Sequence, residues 1–236
     1  MDIIELKELL RLMDKVGIVE AVLDPADDGG TRIRGSNREM NIIVFDDIDT
    51  LLVDLPMGIQ SVKGLLSRIK LFDEEKAKIT LKDDGTNITE LTIKEGRKRA
   101  GFKLALPKYL AIPGIVPGSL EADVEITLEE AYVKYLSSAI MSMSYTGEKK
   151  ERTISLTSDD GKAKITIYDG EDDSFQDTLD NNECEMIDSA SWEVVPFERV
   201  MKASLEETDD ATFFITDHHI AIFDMGLINV MIVPLV

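Results

Sequence analysis

Apolar residues recur at helical spacing over residues 3–16. Ile3, Leu6, Leu9, Leu10, Met13 and Val16 share one side, and Lys7, Arg11 and Lys15 follow one another a turn apart on the other. The pattern predicts an amphipathic helix ended by Gly17. Alternation then takes over: IVEAVLD, TRIRG and MNIIVF read as strands, with PADDGG as the turn after the first. A second helix is predicted over 55–72, LPMGIQSVKGLLSRIKLF, with Asp54 as its N-cap and Pro56 in its first turn, where a missing amide hydrogen costs nothing. Ile59, Val62, Leu66 and Ile69 fall inward on it; Gln60, Lys63, Ser67 and Lys70 fall outward. KAKITLKD, TELTIKEG and AGFKLALP follow as antiparallel strands.

Pro107, Pro113 and Pro117 break the next stretch, PKYLAIPGIVPGSLEAD, into an irregular apolar linker. The pattern then restarts. Thr127 and Glu130 form a capping box opening a helix to Ile140. SMSYTG, ERTISLTSD and KAKITIYDG read as strands, and residues 169–186 as an acidic loop. SWEVV leads into a helix over 196–207, which echoes the helix at 55–72. ATFFITD, HIAIFD and LINVMIVPLV close the chain as strands. Helix, strands, helix, strands thus occurs twice, which predicts a duplicated α+β fold: a domain over 1–106, a connector over 107–122 and a domain over 123–236.

Charge adds an asymmetry. The formal net charge is −20. Residues 1–118 hold 18 Lys+Arg against 20 Asp+Glu, or −2, which leaves 8 against 26, or −18, for the rest. Spread evenly, such a charge would repel phosphates. It is not spread evenly, because Lys7, Arg11, Lys15, Lys63, Arg68, Lys70, Lys134, Arg199 and Lys202 all lie on predicted helices while acids gather in turns. No base-reading motif or aromatic series accompanies them, so any nucleic-acid contact is expected to be with phosphates and independent of sequence. The single cysteine, Cys184, excludes an internal disulfide, no apolar run approaches the roughly 20 residues that span a bilayer, and the acidic N-terminus is unlike a signal peptide. A soluble cytoplasmic protein is expected, with no membrane partner.

Catalytic chemistry is thin. His218 and His219 follow Asp217 in a tight turn, where consecutive side chains diverge, and P-loop, Gly-x-Ser-x-Gly and His-Glu-x-x-His motifs are absent. With 46 Asp+Glu, acidic runs such as EDD read as solvated loops. No enzyme, cofactor or metal site is assigned.

DMG followed by LINVMIVPLV, GIQSVKGLLSRI after the first strands, the duplicated order and the apolar linker resemble a two-domain DNA polymerase sliding clamp, the group of proliferating cell nuclear antigen and bacteriophage processivity clamps. The resemblance implies a head-to-tail homotrimeric ring around duplex DNA that tethers a DNA polymerase and is opened by an ATP-dependent loader, here in the cytoplasm of a phage-infected bacterium or associated with a nucleoid. It places the nine basic helix residues toward the DNA. It places a partner pocket at Met40, Leu55, Ile112, Ile115, Val116, Pro234, Leu235 and Val236. The subunit interface it implies joins, by strand addition, the strand near Gly101 to Pro107, which holds Phe102, to the neighbour's strand near Lys162 to Asp169, which holds Ile165 and Ile167, with Arg97, Lys98 and Arg99 near Asp169, Glu171 and Asp172. Two other readings stay open: an acidic interaction protein with duplicated α+β domains, and a metal-dependent hydrolase using the acidic loops with His218 or His219.

Overall fold

A computed structural model describes residues 1–27, 29–113, 122–143, 152–169, 174–184 and 188–235. The chain forms two compact units, Met1–Val116 and Pro117–Val236, and the division falls inside the segment read as a connector.

In the first unit, α1 (Ile3–Val16) is capped by Asp2, whose carboxylate accepts from the amides of Ile4 (2.7 Å) and Glu5 (3.4 Å). Gly17 ends it in the left-handed region, at φ +90°, open to glycine without a side-chain penalty. Strands β1 (Glu20–Pro25), β2 (Thr31–Ser36) and β3 (Ile42–Ile48) form a meander. The three-residue strand β4 (Met57–Ile59) returns to pair with β1, giving the Greek-key order β4-β1-β2-β3.

That pairing corrects the second helix. Residues 55–59 are not helical, and α2 spans Val62–Ile69. Its N-cap is Ser61, whose hydroxyl accepts from the Gly64 amide at 3.1 Å, while Asp54 lies outside. Ile59 is buried as expected, through β4 rather than through a helix. Strands β5 (Lys78–Asp83), β6 (Ile88–Glu95) and β7 (Lys98–Lys103) form an antiparallel trio, bridged to β4 at Met57–Ile88 and Gly58–Ala105. Gly58 is required there, since a Cβ would come within 2.4 Å of the Ala105 carbonyl oxygen.

The second unit begins with β8 (Ala122–Leu128) and repeats the order. It runs α3 (Glu130–Ser142), β9 (Thr153–Asp159), β10 (Lys162–Tyr168), β11 (Ser174–Glu183), β12 (Ala190–Glu193), α4 (Val194–Glu207), β13 (Ala211–Thr216), β14 (Ala221–Asp224) and β15 (Asn229–Ile232). The Greek key recurs as β12-β9-β10-β11, and β15-β14-β13-β8 forms a second sheet. Thr127 does not cap α3: it lies in β8 opposite Thr212, with the two hydroxyls 3.2 Å apart, and no side chain caps the helix. Strand pairing outcompetes a cap worth about 1 kcal/mol. Of the predicted strand SMSYTG, Ser142 belongs to α3, Met143 is its C-cap, and 144–147 lie outside the described residues. The acidic stretch holds a ten-residue strand, β11, rather than a loop.

The two cores differ in kind. Leu6, Leu9, Leu10 and Met13 of α1, with Leu65 and Ile69 of α2, build an aliphatic core in the first unit. In the second, Phe197 of α4 stands 5.3 Å from Trp192 and 5.4 Å from both Phe213 and Phe223, all four buried. The Trp192 indole donates to the His219 carbonyl at 3.0 Å, tying the β13–β14 turn to that core. Phe197→Ala should therefore cost about 3–5 kcal/mol in chemical denaturation. Ser61→Ala should cost about 1 kcal/mol and Asp54→Ala close to nothing; the opposite order would put the helix start back at residue 55.

Candidate nucleic-acid interface and assembly edges

Helices pack in pairs within each unit, α1 with α2 and α3 with α4, and their apolar faces turn inward. The outward faces carry the nine basic residues in three electrostatic states. Lys63, Lys70 and Arg199 are exposed, and their side chains have no ion-pair or hydrogen-bond partner among the described residues. Arg11, Lys134 and Lys202 are bonded to a carboxylate on their own helix: Glu8 at 2.6 Å, Glu130 at 2.6 Å and Glu198 at 2.5 Å. Hydrogen bonding from Lys134 holds the Glu130 carboxyl below its ordinary range. Exposed pairs of this kind contribute about 0–1 kcal/mol, so an arriving phosphate can displace the carboxylate. Lys7 is half-buried against Glu74, Lys15 is half-buried at the end of α1, and Arg68 lies over the Phe102 ring at 4.8 Å while donating to the Gly64 carbonyl. The freest cations thus stand on α4, on α2 and at the C-cap of α2, the two helices that echo each other.

Strand edges revise the expected assembly surface. Strand β10 is paired along its length with β9 on one side and β11 on the other, so no further strand can join it. Ile165, Ile167 and Asp169 are buried, at 1%, 0% and 5% exposure, and Phe102 is buried as well. Glu171 and Asp172 lie outside the described residues. Among the described strands β11 pairs only with β10, and β7 only with β6 apart from the bridge beyond its end at Ala105. The two edges are opposite in charge. Arg97, Lys98, Arg99 and Lys103 lie exposed on and beside β7, while β11 carries Asp177, Asp180 and Glu183.

Behind the β11 edge, a cleft of about 360 Å³ is lined by Thr127, Tyr132, Asp177, Asp180 and Asn182 among others. Burial and the nearby Asp177 carboxylate push the Tyr132 hydroxyl well above its ordinary range. Asn182 is buried and binds Thr127 twice, accepting from its amide at 2.8 Å and donating to its carbonyl at 3.1 Å. That side chain replaces a backbone pairing between β8 and β11. The acids of β11 were not among the expected site residues. The signal was present as alternation, with Phe175, Asp177 and Leu179 on one side and Ser174, Gln176, Thr178 and Asp180 on the other.

The predicted pocket residues are found in both units. In the first, Met40 is exposed with φ +55°, Leu55 is half-buried, and Ile112 follows Ala111, which is held by the Glu20 carboxylate (2.9 Å) and the Ser36 hydroxyl (2.8 Å). In the second, Leu235 is exposed and donates its amide to the Ser191 carbonyl, with Pro234 half-buried beside it. Ile115, Val116 and Val236 lie outside the described residues. His218 and His219 occupy the β13–β14 turn, His219 at φ +59°, and no group of three metal-ligating side chains occurs among the described residues.

No family model matches the chain, and no curated protein matches it. Among solved structures it is similar to A. fulgidus PCNA bound to the C-terminal region of FEN-1, at 15% identity and TM-score 0.64, covering 100% of this chain and 97% of that one. PCNA from Thermococcus kodakaraensis matches at 17% identity and TM-score 0.61, covering 100% and 98%. Caulobacter crescentus pol III beta matches at 13% identity and TM-score 0.72, covering 100% of this chain and 65% of that longer one. The fold is that of DNA sliding clamps.

Asn182→Leu should destabilise the protein by about 2 kcal/mol or more, because it strands two Thr127 backbone groups. Hydrogen exchange should then speed up in β8 and β11 before β13; uniform acceleration would deny Asn182 its bridging role.

Proposed function

We propose that this chain is a DNA polymerase processivity factor that closes into a head-to-tail homotrimer around duplex DNA. The observation that carries the reading is the coincidence of a clamp fold over the whole of this chain with unpaired cations on α4 and on and just after α2, the two echoing helices. In such a ring, Lys63, Lys70 and Arg199 meet phosphates first. Arg11, Lys134 and Lys202 exchange their carboxylates for phosphates at little cost, and Lys7, Lys15 and Arg68 add background field. Contacts this weak hold DNA only because the ring is closed around it. A tethered polymerase then stays near the primer end at high effective concentration. Apolar residues exposed in each unit, such as Met40 and Leu235, are the proposed attachment points for the polymerase. Ring opening falls to a separate ATP-driven loader, and the setting is a phage-infected bacterial cell.

Protomers join by adding the β7 edge of one to the β11 edge of the next. This replaces β10 in the assembly. Antiparallel addition satisfies the open backbone groups of both strands, and basic β7 against acidic β11 selects the head-to-tail partner over a like edge.

Lys63→Glu combined with Lys70→Glu should shorten the products of processive synthesis several-fold without changing the fold; unchanged product length would remove α2 from DNA contact. In sedimentation, the unaltered chain should run as a trimer that loosens as salt is raised. Asp177→Lys with Asp180→Lys should give monomers, and combining it in the same chain with Lys98→Glu and Arg99→Glu should restore the trimer. Salt-independent assembly, or trimers from the Asp variant alone, would exclude the β7–β11 contact.

A further inference from the structure

The outer face of the β5-β6-β7 trio carries a charge pattern that neither the core nor the helices require. Lys78 stands opposite Lys94, and Lys94 opposite Arg99, so three cations form a row across three strands. Four residues along, Lys82 pairs with Glu90 and Glu90 with Lys103. Directly paired residues emerge on the same face of a sheet. Thr80, Thr92 and Gly101 lie between the rows as a low, polar floor, and the Thr92 hydroxyl donates to Glu90 at 3.3 Å. All five cations are exposed, and none has an ion-pair or hydrogen-bond partner among the described residues.

Like charges placed directly opposite destabilise a sheet by roughly 0.2–1 kcal/mol per pair. Folding gives no return for this row, because the opposite face supplies the core through Leu91, Ile93 and Phe102. In a chain with 46 Asp+Glu and 26 Lys+Arg, an unconstrained face would be expected to be acidic.

We propose that this face docks an acidic helical segment of a partner protein. Neighbouring strands are about 4.8 Å apart, close to the roughly 5–6 Å between side chains at i and i+4 on a helix. A helix lying across the strands sets carboxylates at i, i+4 and i+8 over Lys78, Lys94 and Arg99. Lys82 and Lys103, about 13 Å away along the strands, flank its far side. Nucleic acid fits less well: the face has no aromatic side chain on which a base could stack, and Glu90 stands where a second row of phosphates would lie. Lys78, Lys82 and Lys94 stand on β5 and β6, away from the proposed β7–β11 contact that Arg99 and Lys103 border, so the row is tested at Lys78 and Lys94 whether or not the ring forms.

The probe is a labelled helical peptide carrying Glu at i, i+4 and i+8, titrated against the full chain at low salt. Lys78→Glu with Lys94→Glu should weaken binding at least tenfold while circular dichroism and sedimentation stay unchanged, and a peptide with its Glu residues spaced i, i+2 should bind several-fold more weakly. An equally charged single-stranded oligonucleotide should fail to displace the peptide. Absence of peptide binding, binding unaffected by the double substitution, or displacement by the oligonucleotide would overturn the proposal. The sedimentation readout separates each of these from a failure of ring assembly, since neither lysine lies on the β7 edge.

Discussion

A strand at the edge of a sheet leaves alternate amides and carbonyls without partners, and β7 and β11 each pair along one side only among the described strands. Everything proposed for assembly depends on that constraint. An open edge invites any strand, and a protein with several one-sided strands, β5 beside β6 among them, must select the right partner. In the proposed ring, opposite charge does this. Lys98, Arg99 and Lys103 repel a second β7, Asp177, Asp180 and Glu183 repel a second β11, and only the mixed pairing is attractive. The second Greek key places β11, the β5-β6-β7 trio places β7, and Asn182 ties β11 to β8.

Electrostatics on the helices follows the opposite logic, because the strength that suits assembly would hinder sliding. A ring that gripped phosphates through many dedicated ion pairs would stall. Exposed lysines with own-helix carboxylates, as at Lys134 and Lys202, lower the net attraction without removing the cations. The three unpaired cations leave a residual attraction that salt can tune.

Long periodic segments were legible from sequence. Helix α1 was readable to its last residue because seven inward apolar side chains and Gly17 agree with its geometry. Non-local pairing was not legible. Asp54 and Ser61 are both good caps, and the choice between them is made by β4, a three-residue strand whose existence depends on pairing with Ala21, Val22 and Leu23 of β1, far earlier in the chain. Thr127 satisfied a local capping pattern and was taken into β8 by β13, more than eighty residues away. Strand β11 was hidden by composition, since acids and asparagines read as loop until β10 supplies a ladder. The resemblance put the interface on β10, and with β11 formed that strand is paired on both sides. The basic helix faces were readable, but which cations keep a carboxylate depends on rotamers and tertiary neighbours such as Glu74 and Phe102.

Topological linkage is the central claim, and retention on circular DNA tests it most directly. Protein loaded onto a nicked circle by a clamp loader should survive gel filtration in high salt and fall off when the circle is cut once. Release unaffected by cutting, or retention that vanishes with salt on intact circles, would mean that the chain binds DNA by contact rather than by encirclement.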